Sequence, residues 1–305
     1  MALNPPDTEE FKVSPEPGQR PPIPNSSVVH VDLAGLSHPG TVRSNNEDHF
    51  LVTRFGRFLE SLETNLPADQ VPSRFEDDGY GMVVADGMGG HAAGEEASKL
   101  AITTLVKLVL STPDWILQAD DALFSEEIMR RAADRFEQVD HTLAKAANFD
   151  PHLHGFGTTM TLAASVGRNL LIAHIGDSRA YVLRGGKLHQ LTRDHTLVRE
   201  LYEVGAITIA QTATHRLRHV LTRNLGADKG AKADVQKLAL ENGDSLLLCS
   251  DGLTEMVSRE NIVAILEEKA ASKALCTKLI DLALAAGGKD NVTVIIAQYR
   301  IADAG

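Results

Sequence analysis

Four stretches of this chain place an aspartate at the end of an apolar run or at the tip of a glycine turn. They are Val83-Val84-Ala85-Asp86-Gly87, Ala173-His174-Ile175-Gly176-Asp177, Leu247-Leu248-Cys249-Ser250-Asp251-Gly252 and Gly288-Lys289-Asp290-Asn291. Asp-Gly and Asp-Asn are common turn sequences, so one such pair constrains little. The set constrains a great deal. An aspartate closing a buried strand is held with its carboxylate at the sheet edge, and several converging there make a hard-oxygen site suited to Mg2+ or Mn2+.

A chain of 305 residues, 43% of them hydrophobic, has the composition of a globular protein. No shift in composition divides it beyond residue 30, which gives one domain over 28–301 preceded by a tail. Seven of the twelve prolines fall in the first 24 residues. Apolar periodicity is weak there too, so burial cannot offset the entropy of ordering, and residues 1–27 are expected to be disordered. The tail lacks the features of a secretory signal and no run is apolar enough to span a bilayer, which points to the cytoplasm and away from a membrane. Cys249 and Cys276 have neither metal-ligand nor redox spacing and read as core thiols. A net charge of −11 without a basic stripe argues against nucleic acid as a partner. It would also repel phosphorylated ligands unless cations and arginines reverse the sign near the site.

Val28 to Leu36, His49 to Thr53 and Gly81 to Ala85 read as strands, and the acidic stretch 55–79 as an insertion with a solvated face. Ala97, Leu100, Ala101, Leu105, Leu108 and Val109 recur at helical spacing. Ile128, Ala132, Phe136, Val139 and Leu143 mark a second helix, with Ser125 as its cap. Strands follow at Thr159 to Val166, Asn169 to His174, Arg179 to Leu183 and Lys187 to Leu191, the last two joined by Arg184-Gly185-Gly186-Lys187. A basic, histidine-bearing segment over 192–225 then precedes a strand at Ser245 to Ser250, helices at Arg259 to Lys269 and Ser272 to Ala286, and a strand from Val292 to Tyr299. Helix pairs and strand runs segregate instead of alternating, so the class is α+β with mostly antiparallel sheets and helices outside.

Each aspartate has its own setting. In chain order these are Val42-Arg43-Ser44-Asn45-Asn46-Glu47-Asp48, Asp86-Gly87-Met88-Gly89-Gly90-His91, Gly155-Phe156-Gly157-Thr158-Thr159, Gly176-Asp177-Ser178-Arg179, Ser250-Asp251-Gly252-Leu253 and Asp290-Asn291-Val292-Thr293. The series resembles the motifs of the type 2C, metal-dependent serine/threonine protein phosphatases (PPM) in their bacterial form, over roughly residues 30 to 300. That resemblance implies a four-layer α-β-β-α sandwich with two central, mostly antiparallel sheets and metals at one end of them. It makes 28–301 a phosphatase catalytic domain and 192–225 the flap beside its site. It also implies two Mn2+ or Mg2+ ions in the core site, and a third in bacterial relatives.

Hydrolysis of a phosphate monoester needs a nucleophilic oxygen brought onto a doubly charged phosphoryl group while the leaving oxygen is stabilised. Paired metal ions meet both needs, lowering the pKa of a bridging water and neutralising charge during in-line displacement. Asp86 is the choice for the bridging carboxylate, with Asp251 and Asp290 on one ion; the match to the family's Asp-Gly puts the Gly87 carbonyl on the other. Glu47 and Asp48 would act from behind, holding the metals' waters. Asp177 matches the position that, in bacterial relatives, holds the third ion with the counterpart of Asp251. Arg43 matches the family's phosphate-gripping arginine, and a planar guanidinium can hold two phosphoryl oxygens at once.

One departure matters. Met88 stands where the eukaryotic branch has a histidine, so the proton donor is open: a metal-bound water is preferred, and His91 reads as a cap or turn residue. His174 reads as a satisfied core histidine, and Gly89 and Gly90 as residues needed for their backbone freedom. The expected function is hydrolysis of phosphoserine and phosphothreonine by a cytosolic monomer, whose partners are Ser/Thr kinases and their phosphorylated substrates. Two alternatives share the residues: a non-catalytic phosphoprotein-binding module, disfavoured because every core aspartate and Arg43 are present, and a phosphatase of small phosphorylated metabolites.

Overall fold

The computed structural model describes residues 28–67, 70–89, 92–111, 122–153, 155–226 and 230–302. The tail 1–27, Gly90 and His91 lie outside them, and with them the expectations of disorder and of a turn or cap role.

In chain order the elements are β1 (Val29–His38), β2 (Asp48–Glu60), β3 (Arg74–Met88), α1 (Ala92–Ser111), α2 (Ala122–Phe149), β4 (Gly157–Thr158), β5 (Met160–Val166), β6 (Asn169–Ile175), β7 (Arg179–Arg184) and β8 (Lys187–Gln190). They continue with α3 (Leu197–Glu203), α4 (Ile209–Thr212), β9 (Asp234–Ala239), β10 (Ser245–Cys249), α5 (Asp251–Thr254), α6 (Arg259–Leu266), α7 (Ser272–Ala285) and β11 (Val292–Ile301). One sheet runs β1-β11-β10-β7-β8 and the other β2-β3-β5-β6-β9, with β4 beside β3. Every ladder between them is antiparallel.

The apolar runs have no polar alternation because their strands are covered on both faces. Leu246 and Leu248 of β10 join Met82 and Val84 of β3, and Ile295 and Tyr299 of β11, in the layer between the sheets. Their neighbours Leu247 and Cys249 point the other way, among Leu275, Cys276 and Leu279 of α7 and Ile262 of α6. On the opposite side Val83 and Ala85 of β3 pack with Ala97, Ala101 and Leu105 of α1 and Phe136, Val139 and Leu143 of α2. Side chains one residue apart therefore serve different interfaces, and the layers stack as α-β-β-α. Each fully buried leucine or isoleucine in these layers contributes about 1.5–3 kcal/mol. Both cysteines are buried in the first helical layer, and burial pushes each thiol up to about 12.

Three local expectations change. Residues 55–60 and 74–79, read as parts of an insertion, continue the β2–β3 ladder as far as Glu60 opposite Arg74. Charge pairs replace apolar alternation along this extension: Arg57 Nη2 meets buried Asp77 at 2.6 Å, Arg54 lies 3.6 Å from Asp78, and Arg74 pairs with Glu76. Helix α2 opens at Ala122, so position 125 lies inside it and not at its start. Strand β9 has mostly exposed residues at the edge of its sheet, a pattern too polar to register as a strand. The Gly185-Gly186 turn is as expected, with φ of 55° and 74° suited to a two-residue hairpin.

Candidate metal centre

Antiparallel pairing gathers the aspartates. Asp48 opens β2 and lies opposite Asp86, which stands near the end of β3. Asp177 follows β6, Asp251 begins α5 directly after β10, and Asp290 precedes β11. Strand ends running out of the sheets and strand starts running in thus meet at one end of the sandwich.

Close backbone approach fixes two of these positions. A Cβ on Gly87 would stand 2.1 Å from the Gly94 carbonyl oxygen, and one on Gly252 would stand 2.0 Å from that of Asn291. Only glycine lets α1 press against the end of β3, or α5 against the start of β11. Asn291 ties the preceding loop to the same place: its Nδ2 donates to the carbonyls of Pro39 (2.9 Å) and Asn45 (2.8 Å), and its Oδ1 accepts from the Glu47 N–H at 2.7 Å. The Asp86 backbone is held by Thr159, whose Oγ1 accepts from Asp86 N–H at 3.0 Å, and by Thr158, whose Oγ1 donates to Asp86 O at 2.8 Å.

Asp48 is buried, and its Oδ2 accepts from Ser250 Oγ and Thr293 Oγ1, each at 2.7 Å. With the Thr293 proton committed to Asp48, Ser37 Oγ donates to Thr293 Oγ1 at 2.7 Å and itself accepts from Asn46 Nδ2 at 2.9 Å. Burial pushes the Asp48 carboxyl up to about 6 despite these donors. Asp86 lies well above the ordinary carboxylate range, first because it is desolvated and then because Asp48, Asp251, Asp177 and Asp290 crowd it with negative charge. Asp251 is raised in the same way, by burial and by Asp177, Glu255, Asp290 and Asp48. Burial and Asp194 push Asp177 up to about 7.

This donor set fits a pair of hard divalent cations. Carboxylates so crowded cannot all ionise without a positive charge among them. Asp48 Oδ1 is buried without a hydrogen-bond donor, and oxygen is the ligand Mg2+ and Mn2+ prefer.

Arg43 lies at the rim with its side chain 58% exposed, its Nη2 donating to Asp290 Oδ2 at 2.7 Å. Glu47 is next to Asp48, and its carbonyl oxygen accepts from the Gly87 N–H at 3.2 Å and the Ser98 hydroxyl at 2.6 Å. The structure therefore brings Arg43, Glu47, Asp48, Asp86, Gly87, Asp177, Asp251 and Asp290 to one end of the fold.

Several supporting residues escaped the sequence reading. Arg179 holds Asp194 through two bonds of 2.9 and 2.5 Å. The next residue, His195, clamps the glycine before Asp177: its N–H donates to Gly176 O at 2.7 Å and its Nδ1 accepts from Gly176 N–H at 3.1 Å. An accepting Nδ1 puts the ring proton on Nε2, which donates to Asp234 Oδ2 at 3.0 Å. Gly176 has φ of 110°, and a Cβ there would lie 2.5 Å from Thr159 Cβ. Ser250, Thr293 and Asn291 adjoin the aspartates in sequence, a signal available beforehand; His195 and Asp234 are 39 residues apart and carried none. His174 is a satisfied core histidine: Nε2 donates to Arg193 O at 3.1 Å, leaving Nδ1 to accept from Thr161 Oγ1 at 2.9 Å.

Residues 48–292 match the family described as Protein phosphatase 2C. The chain belongs to that family. It is a metal-dependent protein serine/threonine phosphatase of the bacterial type. The phosphatase is 34% identical over 224 residues to the serine/threonine phosphatase stp of Listeria welshimeri, covering 73% of this chain and 86% of that one. It is 38% identical over 264 residues to the serine/threonine protein phosphatase PstP of Mycobacterium tuberculosis, covering 87% of this chain but 44% of PstP. A crystal structure of the PstP catalytic domain in complex with two manganese ions superposes with a TM-score of 0.69 at 32% identity, covering 89% of this chain and 99% of that one.

Proposed function

We propose that the acidic cluster at the end of the sandwich is the catalytic centre, where phosphoserine and phosphothreonine esters of proteins are hydrolysed in opposition to a Ser/Thr kinase. The observation that carries this reading is the convergence of Asp48, Asp86, Asp177, Asp251 and Asp290 at one end of the two sheets, close enough for the other four to raise the Asp86 carboxyl. Asp86, Asp251, Asp290 and the Gly87 carbonyl would hold two ions, Mn2+ or Mg2+. When bound, such ions supply positive charge against the phosphoryl oxygens and lower the pKa of the attacking water.

The protein's own groups do the rest. Asp48, pinned by Ser250 and Thr293, keeps a fixed negative charge behind Asp86 and orients water at the centre. Glu47 stands beside it, its backbone locked by Asn291. Asp177, set by the His195 clamp on Gly176, would share a third, weaker ion with Asp251. The exposed Arg43 guanidinium, paired with Asp290 here, would take two oxygens of the phosphoryl group, leaving the Asp290 carboxylate available to help hold the ions.

The 192–225 segment is proposed as the flap. Its support is position: Arg218 and His219 reach Glu255, whose charge bears on Asp251. No helix among the described residues is long and apolar enough to cross a membrane. A monomer acting in the cytoplasm is a further part of this proposal, which light scattering and cell fractionation would test.

The deciding experiment is phosphate release from a phosphothreonine peptide with Mn2+, with Mg2+ and with chelator, run beside Asp86→Asn. Release that needs metal and disappears in the variant is expected. Equal release from the chelated enzyme or from Asp86→Asn would refute the assignment of the centre.

A further inference from the structure

At the edge where β9 ends its sheet, the layer between the sheets opens into a cleft of about 300 Å3. None of the residues lining it belongs to the acidic centre. We propose that this cleft binds a free α-amino acid with an apolar side chain, held as a zwitterion between Arg193 and Asp234.

One wall of the cleft is sheet. The β6–β9 ladder sets His174 opposite Asp234 and Ile172 opposite Gln236, so strand alternation puts these four side chains on one face. The other wall is the stretch Leu191, Thr192 and Arg193 that follows β8. Two hydrogen bonds span the walls: Gln236 Nε2 donates to the Leu191 carbonyl, and His174 Nε2 donates to the Arg193 carbonyl at 3.1 Å. Both end on backbone oxygens, so the spacing of the walls does not depend on the side chains of Thr192 and Arg193.

Ile172 and Leu191 pack with the apolar layer between the sheets and give the cleft an apolar floor. Unlike charges stand over it. Glu203, and after it Asp234, raise the Arg193 guanidinium above its ordinary range, so Asp234 lies within electrostatic reach of Arg193. Yet no ion pair joins them: Arg193 turns Nε and Nη2 to Glu203, and Asp234 accepts from His195 and Arg223. A guanidinium offers more donors than the two atoms spent on Glu203, and a carboxylate can accept again beyond His195 and Arg223. A zwitterion uses both. Its carboxylate takes the remaining Arg193 donors and the proton of Thr192 Oγ1, an oxygen that itself accepts from Ala180 N–H at 3.1 Å. Its ammonium donates to Asp234, and its side chain covers Ile172 and Leu191. An anion or a cation would meet one of the two charges with its own sign, and the zwitterion meets neither. The volume stands at the low end of ligand pockets, which suits a single amino acid.

Calorimetry of the wild-type chain with L-phenylalanine and with L-leucine tests the site, and saturable binding at millimolar concentration is expected. Two analogues each remove one charge: N-acetyl-L-phenylalanine lacks the ammonium and L-phenylalaninamide lacks the carboxylate. Each should bind at least about tenfold more weakly than L-phenylalanine. On the protein side, Arg193→Gln removes the positive end and should weaken L-phenylalanine by a similar factor. Gln236→Phe fills the cleft from an exposed position on the edge strand and should abolish binding. The analogue series needs only the wild type, so it decides the question even where a variant fails to fold. Absence of saturable binding by both amino acids, equal affinity for the two analogues and L-phenylalanine, or undiminished binding in both variants would each overturn the site.

Discussion

Thr293 accepts a hydrogen bond from Ser37 and donates one to Asp48, so this hydroxyl stands in the middle of a relay of hydrogen bonds that begins at Asn46. Thr293→Val keeps the shape and removes the relay. Because the lost bond runs to a buried carboxylate, about 1.5–3 kcal/mol of stability should go with it, read as a fall in the urea midpoint in chelator at neutral pH. An unchanged midpoint would mean that Asp48 is satisfied some other way. Arg43 makes a different kind of contact, exposed and paired to a carboxylate proposed to bind an ion. Arg43→Ala should raise KM for a phosphopeptide while leaving Mn2+ affinity equal or tighter, since a competing positive charge has gone from Asp290. A collapsed kcat at unchanged KM would instead place the arginine's action in the transition state. The aspartates were legible in the sequence because each sits in a recognisable local setting, at the end of an apolar run, in a glycine turn or in the Arg43 to Asp48 stretch. Their partners were not, since the bond from Ser250 to Asp48 joins residues 202 apart and that from Thr293 joins residues 245 apart.

At the scale of elements, helix packing depends on what the helices lack as much as on what they carry. α5 is four residues long, too short to hold itself in place, and it is seated by Gly252 lying against the Asn291 carbonyl. Gly252→Ala would force that contact open and carry Asp251 outward. The expected loss is about 1–3 kcal/mol from overpacking, seen in thermal unfolding, together with weaker Mn2+ binding measured by calorimetry. A variant that kept both would show that the strand-to-helix turn can yield without moving the aspartate. The buried strands and both long helices could be read from sequence because their apolar periods are clear. The far half of the β2–β3 hairpin could not, because its pairing rests on cross-strand ion pairs and on Arg57 over Phe75 and Arg74 over Phe58. Residue periodicity alone gives such a segment the look of a charged loop.

The stacking of the whole molecule buries His174 on β6 beside the ring of His195, with 4.9 Å between centroids. Burial, and then the neighbouring His195 ring that would repel a second positive charge, hold its imidazole down at about 3, outweighing Asp194, the Arg193 carbonyl and Asp234, which pull the other way. In the unfolded chain the same ring titrates near 6.5. Between these values the unfolded state binds the proton and the folded state does not, so this group's stability is complete above about 6.5 and drains away as the pH falls toward 3. The raised carboxylates of the centre act in the opposite sense, so the total pH profile mixes both signs. A difference between proteins isolates the histidine. His174→Gln keeps a hydrogen-bonding side chain without the titration, and near pH 5 its unfolding free energy should rise with pH less steeply than the wild type's by about 1.4 kcal/mol per pH unit, the slope of one proton. Parallel slopes would mean that His174 keeps its proton in the folded sandwich, and a charged ring at that depth would contradict the tautomer assigned from Thr161 and Arg193.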